Sequence, residues 1–187
     1  MRRIKCVVSD KPILFCLWIL VISAIVLFSC FGRGLQRNLA QTIGRTGIAW
    51  VMALGIFILV VMAAVFLIRK RGFKGLFHLG WMLVIVIGLM FYFRHNPEVW
   101  YHIVLFGVLG NLSVRLFSIR TGVEISFAVA FLDELLQHYL PNRVGDCEDV
   151  IVNIICVGLG IFLHLLVHNK REKSVLSAYR KRDMQND

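Results

Sequence analysis

The sequence has 187 residues, of which 58% are hydrophobic and 17% charged, and its mean hydropathy is +0.76. Soluble domains carry closer to half apolar and a quarter charged residues, so this composition excludes a soluble enzyme, a disordered tail and a disulfide-stapled secreted module. The net charge is +10. In an integral membrane protein, such a charge is first tested for its preference between the two sides of the bilayer.

Six apolar segments are long enough to cross a membrane as helices, because about 20 residues span the hydrocarbon core. In chain order they are residues 13–31, 47–68, 76–93, 99–117, 123–140 and 150–168. The fifth segment contains three carboxylates and is the weakest of these candidates. The sequence thus predicts an all-α, polytopic transmembrane helix bundle of about six spans.

The stretch between the first two segments has an amphipathic pattern. Leu35, Leu39 and Ile43 recur at every fourth position, with polar residues between them. This pattern predicts a short helix that lies on the outer leaflet of the membrane.

Basic residues select the orientation of the bundle. With the amino terminus inside, 16 of the 21 Lys and Arg residues fall in inner segments. The positive-inside rule therefore predicts that both termini are cytoplasmic. Residues 1–168 would form the bundle and residues 169–187 a basic cytoplasmic tail. Anionic lipid at the basic loops explains the charge better than nucleic acid does, and no nucleic-acid partner is predicted.

Acidic residues concentrate at the opposite, outer ends of the last three segments. In the fifth segment, a turn of 100° per residue puts Asp133, Glu134, Gln137 and His138 within an arc of about 140°. Two central carboxylates would offset the insertion free energy of this segment, since each costs about 2.5–3.5 kcal/mol. The segment must therefore lie near the outer interface, face a wet cavity or be paired by its neighbours.

Neighbouring segments carry groups that can pair with these carboxylates. Further acids and amides begin the fourth and sixth segments, and the turn between segments five and six carries a guanidinium that can fork onto a carboxylate. We expect a polar pocket that opens outward. Its candidate ligand-binding residues are His102, Glu134, Gln137, Arg143, Asp149, Asn153, Asp133, Asp146 and Glu98.

Two other patterns concern packing and metals. In the sixth segment, Cys156, Gly160 and His164 continue the stripe of Asn153 with small residues, which let another helix approach closely. The five cysteines are scattered without a CxxC pair, so they describe neither a metal site nor a disulfide framework. His164 and His168 have metal-like spacing but lie at the inner end, where an interfacial position is the favoured interpretation. No metal ligand is assigned.

The ordered polar residues of the last three segments resemble the signature of VanZ-like membrane proteins. The matching runs are Leu132-Asp133-Glu134-Leu135-Leu136-Gln137, Pro141-Asn142-Arg143, Asp146, Asp149-Val150, Asn153 and Gly158-Leu159-Gly160. Upstream, Glu98-Val99-Trp100-Tyr101-His102 followed by Leu105-Phe106-Gly107 is similar to the second polar element of that family. The resemblance covers residues 97–168.

The resemblance implies a multi-pass protein of the bacterial cytoplasmic membrane, in a family associated with teicoplanin resistance. It places the polar signature of the family on His102, Glu134, Gln137, Arg143, Asp149 and Asn153. Many members of the family have four or five spans. Residues 47–93 would therefore be an addition in this chain.

Three functions and one structural explanation fit these patterns. The pocket could bind or transport a polar ligand, such as the headgroup of a lipid-linked or cell-wall precursor. It could instead be an intramembrane enzyme, with Glu134 or Asp149 as general base and His102 as acid or ligand of Mg²⁺ or Mn²⁺, although no spacing demands a metal. A scaffold acting through the basic tail is the third function. In the structural explanation, the polar groups only pin the helices together.

Overall fold

The computed structural model of the protein describes residues 11–93, 98–140 and 147–186. Within these ranges there are five helices and no strand. The helices are α1 (Lys11–Arg71), α2 (Lys74–Tyr92), α3 (Glu98–Leu116), α4 (Ile119–Tyr139) and α5 (Cys147–Asn186). The predicted all-α fold is therefore confirmed.

Four stretches of the described helices are long and apolar enough to cross a membrane. They are Lys11–Gly32, Thr46–Lys70, Lys74–Tyr92 and Glu148–Val167, and they match four of the six predicted spans. The other two predicted spans are also helical, as α3 and α4. Their polar residues lower their hydropathy, so the total of six spans stays a prediction.

Helix α1 contains both of the first two spans and the stretch between them. Residues 32–43 are helical, as predicted, but they continue the first span without a break and form no separate short helix, and their position on the outer leaflet stays a prediction. The helical geometry is interrupted only at Gly44, with φ 73° and ψ 162°. Since a positive φ is readily adopted by glycine alone, this residue sets the position of the bend.

Helices α3 and α5 pack backbone against backbone at the centre of the bundle. A Cβ atom added to Gly160 would overlap the Gly107 carbonyl, and one added to Gly110 would overlap the carbonyl of Val157. The side-chain amide of Asn111 donates to the Gly160 carbonyl at 3.2 Å. The prediction that a small stripe on the last span admits a neighbouring helix is confirmed.

The buried apolar core joins α3 and α5 to α4 and to the first span of α1. Val21 and Ile25 of α1 pack with Phe106 and Leu109 of α3 and with Val157 of α5. The span Thr46–Lys70 and helix α2 are peripheral: in an apolar 18-residue window of each, 6% and 11% of the residues are buried, against 39% in that of the α5 span. The buried core therefore lies mainly on the side of the α3/α5 pair that faces α4 and the first span of α1.

The bundle has two chemically different ends. Near the start of α1, the indole of Trp18 donates to Ser113 at 2.9 Å, which puts that start beside the end of α3. This end, called here the basic end, carries Arg115 at the close of α3 and Arg120 at the opening of α4. At the other end, called the acidic end, α3 and α5 begin and α4 finishes. Arg115 and Arg120 thus lie at one end of the bundle and the buried carboxylates of α4 at the other, while the side of the membrane that each end faces stays a prediction.

Candidate functional site

Five polar side chains from three helices are buried together at the acidic end. None of them is more than 6% exposed. We call them the polar cluster: His102 of α3, Asp133, Glu134 and Gln137 of α4, and Asn153 of α5. Side chains that are far apart in the sequence therefore share one site inside the bundle.

Helix α4 supplies three members of the cluster from adjacent turns of one face. The amide nitrogen of Gln137 donates to Asp133 Oδ2 at 3.0 Å and lies 3.4 Å from Glu134 Oε1. These contacts have i,i+4 and i,i+3 spacing, which places side chains above one another on a helix. Gln137 thus holds the two carboxylates in a fixed relation to each other.

Asn153 of α5 links α4 to α3 through its side-chain amide. Its amide nitrogen donates to Glu134 Oε1 at 3.2 Å, and its amide oxygen lies 3.1 Å from Nδ1 of His102. Because an amide oxygen can only accept, the imidazole donates this second hydrogen bond from a protonated Nδ1. The same Nδ1 lies 3.8 Å from Asp133 Oδ2. The imidazole is therefore oriented by both an amide and a carboxylate.

Aromatic rings form the apolar side of the site. The imidazole of His102 stacks on Phe106, with ring centroids 5.7 Å apart and an interplanar angle of 7°. Tyr101 stacks on the imidazole at 4.4 Å and on Phe28 of α1 at 4.9 Å. These rings restrict rotation of the imidazole, so its nitrogens keep their direction.

Ser29 also belongs to the site, although it is not among the residues predicted from the sequence. This fully buried serine of α1 hydrogen-bonds to Asp133 Oδ1, and its hydroxyl also lies 2.9 Å from the Ile25 carbonyl. Its position in the sequence is a weak indication of this role, because a serine inside an apolar span is typical of a helix–helix interface. The first span is thus part of the site rather than a simple anchor.

The remaining predicted residues are placed less closely or fall outside the described residues. Asp149 is half-buried in the first turn of α5, one turn before Asn153. Glu98 begins α3, but its side chain is outside the described part, and so are Arg143 and Asp146. His138 is exposed, because it lies at the far edge of the predicted arc. The buried polar face of α4 therefore ends before this histidine.

Three members of the cluster could hold a metal ion. His102, Asp133 and Glu134 each offer a ligand atom, and these atoms all lie within 4.8 Å of one another. One imidazole with two carboxylates suits a divalent cation such as Mn²⁺ or Mg²⁺. The same three groups could instead move a proton, because an imidazole and a carboxylate are the commonest acid–base residues.

The fold and the site define an all-helical protein with apolar spans and a buried polar cluster. The VanZ/LLP1 family model matches residues 14–168, and the chain belongs to this family. The match extends further toward the amino terminus than the motifs at residues 97–168, and it runs through residues 47–93, which the sequence analysis treats as an addition. No curated protein and no solved structure matches the chain.

Proposed function

We propose that this protein is a multi-pass component of the bacterial cytoplasmic membrane that binds or transports a polar ligand at the outward-facing, acidic end of its bundle. The ligand is the headgroup of a lipid-linked or other cell-wall precursor. The observation that carries the proposal is the convergence of five buried polar side chains from α3, α4 and α5. The positive-inside rule supports the orientation, since the basic end would face the cytoplasm together with both termini.

The energetics of the cluster argue against a purely structural role. A hydrogen bond between membrane helices contributes about 0.6 kcal/mol on average. A single carboxylate costs about 2.5–3.5 kcal/mol to insert at the centre of a span and less toward its ends, and α4 carries two that are buried in its last two turns. The free energy that these hydrogen bonds contribute to helix association is therefore small beside the cost of inserting the carboxylates. This difference supports a role in binding.

The chemistry of the cluster favours a ligand that donates hydrogen bonds or carries a positive group. Asp133 and Glu134 accept hydrogen bonds, and their charge favours ammonium, hydroxyl or amide donors. We extend the proposed site to Asp149, in the first turn of α5, and, from the family resemblance of the sequence, to Arg143. In this arrangement Arg143 would fork onto an anionic part of the headgroup, while Asp149 would accept donors.

A matched pair of Glu→Gln variants on α4 tests the proposal. Glu134 is buried in the cluster, whereas Glu124 is exposed and paired with Arg120 at 2.9 Å. We expect Glu134→Gln to weaken binding of a purified lipid-linked cell-wall precursor by about 10- to 100-fold, because a hydrogen bond to a charged group contributes about 1.5–3 kcal/mol. Glu124→Gln should bind as the wild type does. Calorimetry on the detergent-solubilised protein gives both affinities.

Two results would separate binding from a structural role. If Glu134→Gln no longer accumulates in the membrane while Glu124→Gln does, the cluster serves to hold the helices together. If Glu134→Gln accumulates normally and binds the precursor normally, the proposed site is wrong. In cells, the proposed link to teicoplanin predicts that Glu134→Gln and Arg143→Ala abolish any protection against this antibiotic at unchanged protein abundance.

An enzymatic function is the second candidate, and the close approach of His102, Asp133 and Glu134 favours it. Glu134 or Asp149 would act as general base toward a lipid-linked precursor, and His102 as acid or as ligand of a divalent cation. Incubating the purified protein with the precursor, with and without a chelator, tests this function. Turnover that disappears in Glu134→Gln would make the protein an enzyme, and loss with the chelator would assign the cation.

A further inference from the structure

A cavity of about 480 Å³ lies between the α3/α5 pair on one side and α2 and the second span of α1 on the other. Most of its wall is apolar, with contributions from Ala63, Leu83, Ile103 and Leu159. Its polar lining residues are Asn111, Arg115 and His164. The polar cluster faces the opposite side of the α3/α5 pair, toward α4 and Ser29, so this cavity is a separate feature.

The dimensions of the cavity suit one hydrocarbon chain. Its lining residues on α3 run from Ile103 to Arg115, which corresponds to about 18 Å at 1.5 Å per residue. Half of the hydrocarbon core of a bilayer is about 15 Å thick. The volume also falls within the range of about 300–1,000 Å³ that is typical of ligand pockets. An acyl chain could therefore lie along α3 over the depth of one leaflet.

Positive charge is found at one end of this cavity. Arg115 lines the wall in the last turn of α3. Phe66 of α1 also lines it, and the ammonium of Lys70 lies 6.0 Å from the centroid of the Phe66 ring. A further basic residue, Lys74, begins helix α2 four residues after Lys70. An apolar slot with cations at its basic end is complementary to a lipid whose headgroup is anionic.

We propose that the cavity binds one acyl chain of an anionic phospholipid, whose phosphate pairs with Arg115 at the basic end of the bundle. The weak packing of the surrounding helices fits this occupant. In an apolar 18-residue window of each, only 6% of the residues of the span Thr46–Lys70 and 11% of those of α2 are buried by protein. A lipid chain would fill the space that these two helices leave open beside α3.

Two pairs of variants test the chain and the headgroup separately. Leu83→Trp fills the cavity, and its control Val84→Trp lies on the exposed side of α2. Arg115→Gln removes the cation, and its control Arg120→Gln lies in the first turn of α4, away from the cavity wall. Each full-length protein is delipidated in neutral detergent and mixed with phosphatidylglycerol or phosphatidylcholine vesicles. Native mass spectrometry then measures the lipid that each protein retains.

We expect the wild type to retain phosphatidylglycerol in preference to phosphatidylcholine. Arg115→Gln should lower retention of phosphatidylglycerol about fivefold, the factor that corresponds to about 1 kcal/mol per basic residue. Leu83→Trp should lower retention of both lipids, and the two controls should match the wild type. If Leu83→Trp does not fold, Ala63→Leu fills the cavity from the opposite wall.

Three outcomes would overturn the proposal. Equal retention of the two lipids by the wild type would show that the site does not recognise an anionic headgroup. Unchanged retention in both cavity-filling variants would show that no acyl chain occupies the cavity. A lipid-free dimer that Leu83→Trp abolishes would assign the cavity to a second copy of the chain. None of these outcomes bears on the polar cluster, which the Glu134→Gln experiment tests independently.

Discussion

The two sides of the α3/α5 pair are each covered by two helical segments, yet they pack differently. On the side of the polar cluster, α4 and the first span of α1 contact the pair closely, and Ser29, Asp133 and Asn153 are almost fully buried. On the side of the cavity, α2 and the second span of α1 leave about 480 Å³ open. High hydropathy does not bring close packing, because Thr46–Lys70 and α2 are both apolar enough to cross a membrane, whereas the closely packed α4 is not among the four apolar spans.

The difference follows from the residues that each side offers to its neighbours. Small residues and hydrogen-bonding groups hold membrane helices together, because lipid is as apolar as a leucine side chain and gives no hydrophobic force between helices. The cluster side supplies such groups on every helix. The described residues that line the cavity from α1 and α2 are all apolar. Contact with lipid is therefore as favourable for them as contact with protein. Tight packing here therefore marks the polar, site-bearing half of the bundle.

The largest expected effect is the disruption of the α3/α5 pair itself. Gly160→Val would place side-chain atoms where the Gly107 carbonyl lies. Because the obstacle is backbone, it cannot rotate away, and we expect destabilisation of about 3 kcal/mol or more. Thermal unfolding in detergent, followed by circular dichroism, should show a large fall in Tm or no folded protein at all.

Gly158→Val is the matched control for this prediction. Gly158 lies two residues earlier on α5, is exposed and has open space where its Cβ would be. Its Tm should therefore stay close to that of the wild type. Equal stability of the two variants would mean that α3 and α5 do not approach each other at Gly160.

A smaller effect should distinguish the first span of α1 as part of the site. Ser29 and Ser126 are both fully buried, but Ser29 hydrogen-bonds to the Asp133 carboxylate, whereas Ser126 bonds to the Gly122 carbonyl of its own helix at 2.7 Å. Ser29→Ala should destabilise the protein by about 1.5 kcal/mol, since the acceptor is a carboxylate. Ser126→Ala should cost less than about 0.5 kcal/mol, because serine bonds to a preceding carbonyl add little to a helix.

Unfolding of both serine variants in the same detergent gives this difference. A second measurement is the affinity of Ser29→Ala for the cell-wall precursor, which should fall because Asp133 loses a fixed partner. If both variants unfold like the wild type and Ser29→Ala binds normally, α1 is only a neighbour of the site.

The sequence predicts the site and the fold to different extents. Asp133 with Gln137, and Asn153 with the small stripe behind it, have the four-residue spacing of one helix face, so their convergence could be anticipated from periodicity. Ser29 could not, because one serine in an apolar run has no partner at helical spacing. The bend at Gly44 is local, but a glycine in a sequence does not by itself show that its φ is positive. The cavity beside α2 depends on contacts between distant segments, which local patterns do not encode.

The smallest expected effect concerns the carboxy-terminal tail, and it tests whether function depends on the site or on the basic residues. The family match ends at residue 168, and the polar cluster lies at the end of the bundle where α5 begins. Deleting residues 172–187 should therefore leave precursor binding unchanged within about twofold, since no member of the cluster is removed. Lower membrane abundance would be consistent with loss of contacts to anionic lipid. Loss of function at full abundance, with binding intact, would instead assign the protein a scaffold role through its tail.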